Sequence, residues 1–123
     1  MRREDVRRQL EQELLGKLVR LRQVYVALRR DPKRLAEVLV RSAGGFFTML
    51  RAALRLAGAS APRDPEELVR AAAPVIGFSP DGLADLVAHM RGRQALKLQA
   101  EDPRAAAYLA AVVRTAEYVN RLP

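Results

Sequence analysis

The chain has 123 residues with 22 Lys and Arg against 14 Asp and Glu, a formal charge of +8, a length that suits one domain with its own hydrophobic core. It contains no cysteine, which excludes disulfides and thiolate chemistry and suits a cytoplasmic protein. No apolar run approaches the ~20 residues of a membrane span, and the start "MRREDVRRQLEQE" lacks the apolar stretch of a signal peptide, so a soluble chain with no membrane partner is expected.

The first periodic segment runs from about Arg3 to Arg30, with Leu10, Leu14, Leu18, Leu21, Tyr25 and Leu28 recurring every three or four residues. That is the seam of a helical bundle. A second helix, about Pro32 to Ala57, repeats the spacing with Leu35, Leu39, Ser42, Phe46, Met49, Ala53 and Leu56. The tight "RRDP" junction predicts that the two form an antiparallel hairpin. Three shorter helices are predicted at about Pro65–Ile76, Pro80–Arg91 (burying Leu83, Leu86, Val87 and Met90) and Pro103–Leu122 (offering Leu109, Val112, Val113, Ala116 and Val119). The stretch "GRQALKLQAED" reads either as an extra helical turn or as a loop.

The punctuation is regular. Asp31-Pro32, Asp64-Pro65, Ser79-Pro80 and Asp102-Pro103 each pair a capping oxygen with a proline that loses no hydrogen bond in the first helical turn. Asp64 with Glu67 is close to a capping box, and Gly58, Gly77 and Gly92 stand where helices should stop. Residues 1–123 are therefore read as one all-α domain, an antiparallel four- to five-helix bundle built on a long helical hairpin.

The residues for catalysis are sparse. The one histidine, His89, sits among apolar positions of the fourth helix, which favours a structural role over acid–base work. The carboxylates are scattered, and Glu13 with Lys17, Glu37 with Arg41 and Glu66 with Arg70 have the i, i+4 spacing of surface ion pairs rather than of metal ligands. No cofactor is implied.

The adjacent glycines of "RSAGGFFTML" divide by face. No strand precedes them and no Lys-Ser/Thr follows, so a phosphate loop is excluded. Gly45 falls on the apolar seam and predicts close approach of the first helix near Gly16 to Leu18. Gly44 falls on a polar, mostly basic stripe of Glu37, Arg41, Gly44, Thr48, Arg51 and Arg55. It is either a tolerated defect or a gap in which an anion or partner chain sits among the arginines, whose planar forks suit phosphate. The aromatic residues fall on or beside helical seams, which favours core packing over base stacking. The charge favours an anionic partner, although Arg-rich, Asn-poor usage is also what a GC-rich coding sequence produces.

"EQELLGKLVRLRQVYVAL" followed by "SAGGFFTMLRAALRL" resembles the helical domain that follows the catalytic domain in a bacterial group of nucleotidyltransferase-fold proteins. The matching positions are Glu13, Leu14, Gly16, Lys17, Leu18, Leu21, Arg22 and Tyr25, then Ser42, Phe46, Arg51, Ala52, Leu54, Arg55 and Leu56. The broader architecture is similar to HEPN-type bundles. The resemblance implies an accessory or substrate-binding domain that dimerises, docks a nucleotidyltransferase catalytic domain in cis or in trans, or binds a nucleotide or other anionic substrate. The Gly-Ser and paired-Asp signature of the transferase is missing, and Arg114 is not followed by the histidine of ribonuclease-type HEPN proteins, so no catalysis by this chain is expected. The expected binding residues are Lys17, Arg41, Gly44, Thr48, Arg51 and Arg55. Two rival expectations are an autonomous nucleic-acid-binding module and an oligomerisation domain without ligand. The opening "RREDVRRQLEQE" suggests the C-terminal part of a longer protein or a separately encoded subunit, with Met1 at the junction.

Overall fold

The computed structural model describes residues 2–123, and the expected junction at Met1 lies outside them. It contains α1 (Arg3–Leu28), α2 (Pro32–Leu56), α3 (Pro65–Ala72), α4 (Asp81–Met90) and α5 (Pro103–Arg121), with no strand among the described residues. Three of the predicted starts are capped as their chemistry requires: Asp31 accepts from the Arg34 N–H at 3.3 Å, Asp64 from Glu67 at 3.0 Å and Asp102 from Arg104 at 2.9 Å. The fourth is not. Pro80 itself takes the cap position with helical dihedrals, and no side chain, Ser79 included, caps α4.

The predicted stops hold, since Gly58, Gly77 and Gly92 all have positive φ, where a side chain would be strained. The third helix ends earlier than its pattern predicts. Pro74 has no N–H to give Arg70, so after Ala72 the chain widens into a single π-helical turn, Ala73–Gly77, closed by the Phe78 N–H on the Ala73 carbonyl at 3.2 Å. The "GRQALKLQAED" segment is a loop with turns at both ends and no helix between them.

At ~1.5 Å per residue, α1 and α2 are each close to 40 Å long. They lie antiparallel, and the Arg3 guanidinium near the start of α1 donates to the Leu56 carbonyl at the end of α2 (2.7 Å) and to the Pro123 carbonyl. α2 packs against every other helix, whereas α1 packs only against α2 and α5. The core runs along α2 through Leu35, Leu39, Ala43, Phe46, Phe47, Leu50, Ala53 and Leu54, and meets Leu14 of α1, Leu68 of α3, Leu83 of α4 and Tyr108 of α5. Burying each leucine or phenylalanine among them contributes roughly 1.5–3 kcal/mol. Phe46 and Tyr108 meet edge to face with ring centroids 5.5 Å apart. Ser42, Met49 and Leu56 lie half-buried at the edge of this core, and Met90, predicted to be buried, is exposed at the end of α4.

Gly45 is a correction. It is exposed, because the buried row of α2 passes through Ala43 and Phe46 instead of Ser42 and Gly45. No neighbouring backbone crowds it, and a methyl group there would meet only the end of the Lys17 side chain, at 3.4 Å from Nζ. The close helix approach lies elsewhere. A Cβ at Gly82 of α4 would stand 2.3 Å from the Ala107 Cβ of α5, so these two helices touch through their smallest residues.

Candidate functional site

The six residues expected to form one binding face do different jobs. The Lys17 ammonium reaches across from α1 and donates to the Ser42 carbonyl at 3.0 Å and to Ser42 Oγ at 3.1 Å. Ser42 Oγ in turn shares a 2.7 Å hydrogen bond with the buried Tyr108 hydroxyl. This chain ties three helices together, and Gly45 leaves room for the lysine. Burial, then the charge of Arg20, holds the Lys17 ammonium below the usual lysine value, and burial pushes the Tyr108 phenol up to about 12. A serine flanked by lysine and tyrosine invites a nucleophilic reading. It lies inside α2, however, where backbone N–H groups are committed to the helical ladder and none is free to hold an oxyanion.

Arg51 is also structural. Its Nε and terminal nitrogen donate to the Pro62 and Arg63 carbonyls at 3.2 and 2.6 Å, fastening the segment between α2 and α3 to α2. Gly44 faces open space, where a methyl group would find nothing within 4 Å; Thr48 Oγ1 donates back to the Gly44 carbonyl at 3.2 Å, and Arg55 is exposed. Of the three expected i, i+4 ion pairs only Glu66 with Arg70 forms, at 2.9 Å; Glu13 accepts from Gln9 and Lys17 turns to Ser42.

Arg41 alone reaches a well-formed concavity. A groove of about 640 Å3 opens between the first half of α2 and the loop that joins α4 to α5. Its walls are mainly aliphatic, from Pro32, Ala36 and Val40 on one side and Leu96 and Leu98 on the other, with His89 of α4 also lining it and Lys33, Glu37, Arg41 and Lys97 around it. The loop wall is irregular chain held by side chains. His89 Nδ1 accepts from the Leu96 N–H at 2.9 Å, which fastens the loop to α4. Arg104 donates to the Lys97 carbonyl at 2.7 Å, to Asp85 at 2.7 Å and to both oxygens of Asp102, while Asp102 also accepts from the Gln99 N–H at 3.0 Å. The Arg104 guanidinium holds the Asp102 carboxyl well below the usual carboxylate range.

A second surface lies on α1. Leu15, Val19, Arg22 and Val26 are spaced four, three and four apart, and the three apolar members are 48%, 54% and 73% exposed. α1 thus carries two apolar rows, one in the core and one outside it. Leu15 and Arg22 of this row line the crease between α1 and α5, where the half-buried Tyr25, Leu109 and Val113 lie over the buried Leu18 and Ala116, beside Glu11, Glu117 and Arg121. α1 and α5 run antiparallel there, with Asn120 donating to Glu11 at 2.7 Å.

Sequence reasoning missed both surfaces, although signals were present. The alternation "LKL" at 96–98 places two leucines inward and one lysine outward, and the outer row of α1 is written in "LLGKLVRLRQVYV". Among the described residues no group of three His, Cys, Asp or Glu side chains could hold a metal ion, and no helix is long and apolar enough to cross a membrane. Comparison with protein-family models, curated proteins and solved structures finds no match.

Proposed function

We propose that this chain is a non-catalytic helical accessory domain that works by docking, and that its α1/α5 face pairs with a second copy. The observation that carries this reading is the outer row of Leu15, Val19 and Val26. A helix that is apolar on one stripe needs one neighbour; a helix apolar on two stripes needs a second. The charge around the crease favours a copy over an anionic partner. Two chains of +8 repel each other, so a self-pairing face needs little net charge, and here Glu11 and Glu117 nearly balance Arg22, Arg114 and Arg121. Nucleic acid is less well served, since Phe46, Phe47 and Tyr108 are buried and Tyr25, Phe78 and Tyr118 are partly buried, leaving no stacking platform.

The proposed companion of this domain is a nucleotidyltransferase catalytic domain, in the same chain or as a separate subunit, on the strength of the α1–α2 motif resemblance alone. The test of the docking reading is sedimentation equilibrium on the chain and on a Val19→Glu, Val26→Glu variant. A dimer that dissociates in the variant at unchanged helicity is the expected result. A monomer at every accessible concentration, or a dimer indifferent to both substitutions, would reject it.

A further inference from the structure

The groove between α2 and the α4–α5 loop lies away from the α1/α5 face, and its chemistry is different. We propose that it is a binding site for an amphipathic monoanion, a molecule with an aliphatic body and one carboxylate-class head. Its volume, about 640 Å3, falls within the roughly 300–1,000 Å3 of small-molecule sites, which are mostly apolar with a few placed polar groups. The body is matched by Ala36, Val40, Leu96 and Leu98, which contribute methyl groups from two sides and no aromatic ring. A flat base would find a single ring, the half-buried His89 imidazole that also holds the Leu96 N–H, whereas an alkyl chain fills a space walled mainly by methyl groups through dispersion and loss of apolar hydration.

The head is selected by charge. Lys33, Arg41 and Lys97 stand around the groove against a single carboxylate, Glu37, and none of these four side chains forms an ion pair or side-chain hydrogen bond among the described residues. Three cations left without partners beside an apolar floor attract an anion, and an arginine offers a forked pair of donors for a carboxylate. Glu37 counts against a multiply charged head such as a triphosphate, because it repels each added charge at short range. The wall is built rather than incidental. Leu96 is pinned through its N–H to His89, and Lys97 through its carbonyl to Arg104, so the leucines face the groove while the lysine ammonium stays at its edge.

The experiment is a titration of the full chain with decanoate below its micelle concentration, read by methyl NMR, with decanol, decyltrimethylammonium and AMP as parallel arms. Expected are saturable shifts of the Ala36, Val40, Leu96 and Leu98 methyls, with Leu15 and Val19 unmoved. Decanol should bind more weakly and the cation weakest. Charge reversal by Arg41→Glu with Lys97→Glu should weaken decanoate roughly tenfold or more, as expected when charge-assisted bonds are removed; Arg41→Gln with Lys97→Gln serves if reversal disturbs the fold. Equal binding of all three decyl compounds, shifts confined to α1, unchanged affinity in the variants, or AMP binding the groove more tightly than decanoate would each overturn the proposal. Arg41 and Lys97 lie outside the α1/α5 crease, so these variants should leave the oligomeric state unchanged, and the two tests can fail separately.

Discussion

The contact between Gly82 and Ala107 supplies a sharp test of how α4 is seated. In Gly82→Ala the new methyl would stand 2.3 Å from the Ala107 Cβ, against roughly 3.5–4.0 Å for carbon atoms at their best separation, so α4 and α5 must part by more than about 1 Å. Overpacking of this kind costs about 1–3 kcal/mol. Helix propensity returns no more than about 1 kcal/mol, because Gly82 lies in the first turn of α4. The net expectation is a loss of about 1–2 kcal/mol, or a fall in Tm of roughly 3–8 °C for a domain of this size. Urea unfolding followed by far-ultraviolet circular dichroism measures it, with Gly44→Ala as the control. At Gly44 nothing lies within 4 Å of the new methyl, so the same substitution should stabilise by about 0.8–1 kcal/mol. Adding Ala107→Gly to Gly82→Ala removes the clash, and the double mutant should recover stability beyond the sum of the single changes by at least ~0.5 kcal/mol. If Gly82→Ala is as stable as the parent and shows no coupling to residue 107, the close approach of α4 and α5 is wrong.

Arg51→Ala should lower stability by about 1–3 kcal/mol, the range for hydrogen bonds from a charged donor, and should raise hydrogen exchange and proteolysis in the segment between α2 and α3 that Arg51 fastens. Arg55→Ala, at an exposed position, should do neither; equal effects from the two would contradict the assignment. The alkaline limb of stability should carry a contribution from Tyr108. Its phenol is pushed up to about 12 in the fold against about 10 in the unfolded chain, so the folded state holds the proton that the unfolded state loses. Its stabilising contribution is complete below pH ~10 and declines as pH rises from there through ~12. Phenolate absorbance should show one tyrosine titrating near 12, and Tyr108→Phe should abolish that late step.

Much of the fold is legible in the sequence because helix ends are local chemistry. An Asp before a proline and a glycine after an apolar run act within one turn, and the bundle seam on α1 follows from periodicity, as do Leu35, Leu39, Phe46 and Ala53 on α2. The errors begin where a second element decides. Ser79 resembles the three aspartates in sequence, but the helix starts two residues later. The row Ser42, Gly45, Met49 is one step around the helix from Ala43, Phe46, Leu50, and only the position of the neighbours selects the buried one. Gly82 looks like a weak point of a short helix until the separation of α4 and α5 is known. The basic stripe on α2 is continuous along the helix without being one surface. Arg51 and Lys17 are already engaged by carbonyls at the end of a loop and on another helix, partners that no spacing rule specifies. The groove is least legible, since half of it is irregular chain whose shape depends on what His89 and Arg104 hold.

The α1/α5 crease joins the first helix of the chain to the last. The α1–α2 hairpin needs only neighbouring sequence to form, but the crease cannot exist until α5 has been synthesised and has closed a separation of about a hundred residues, an event with its own entropic cost. Until then the outer row of α1 has no flanking wall and offers a partner only half of its seat. Pairing through this face, as proposed above, would therefore be timed by completion of the fold: two nascent hairpins meeting early would lack the surface on which finished domains would pair.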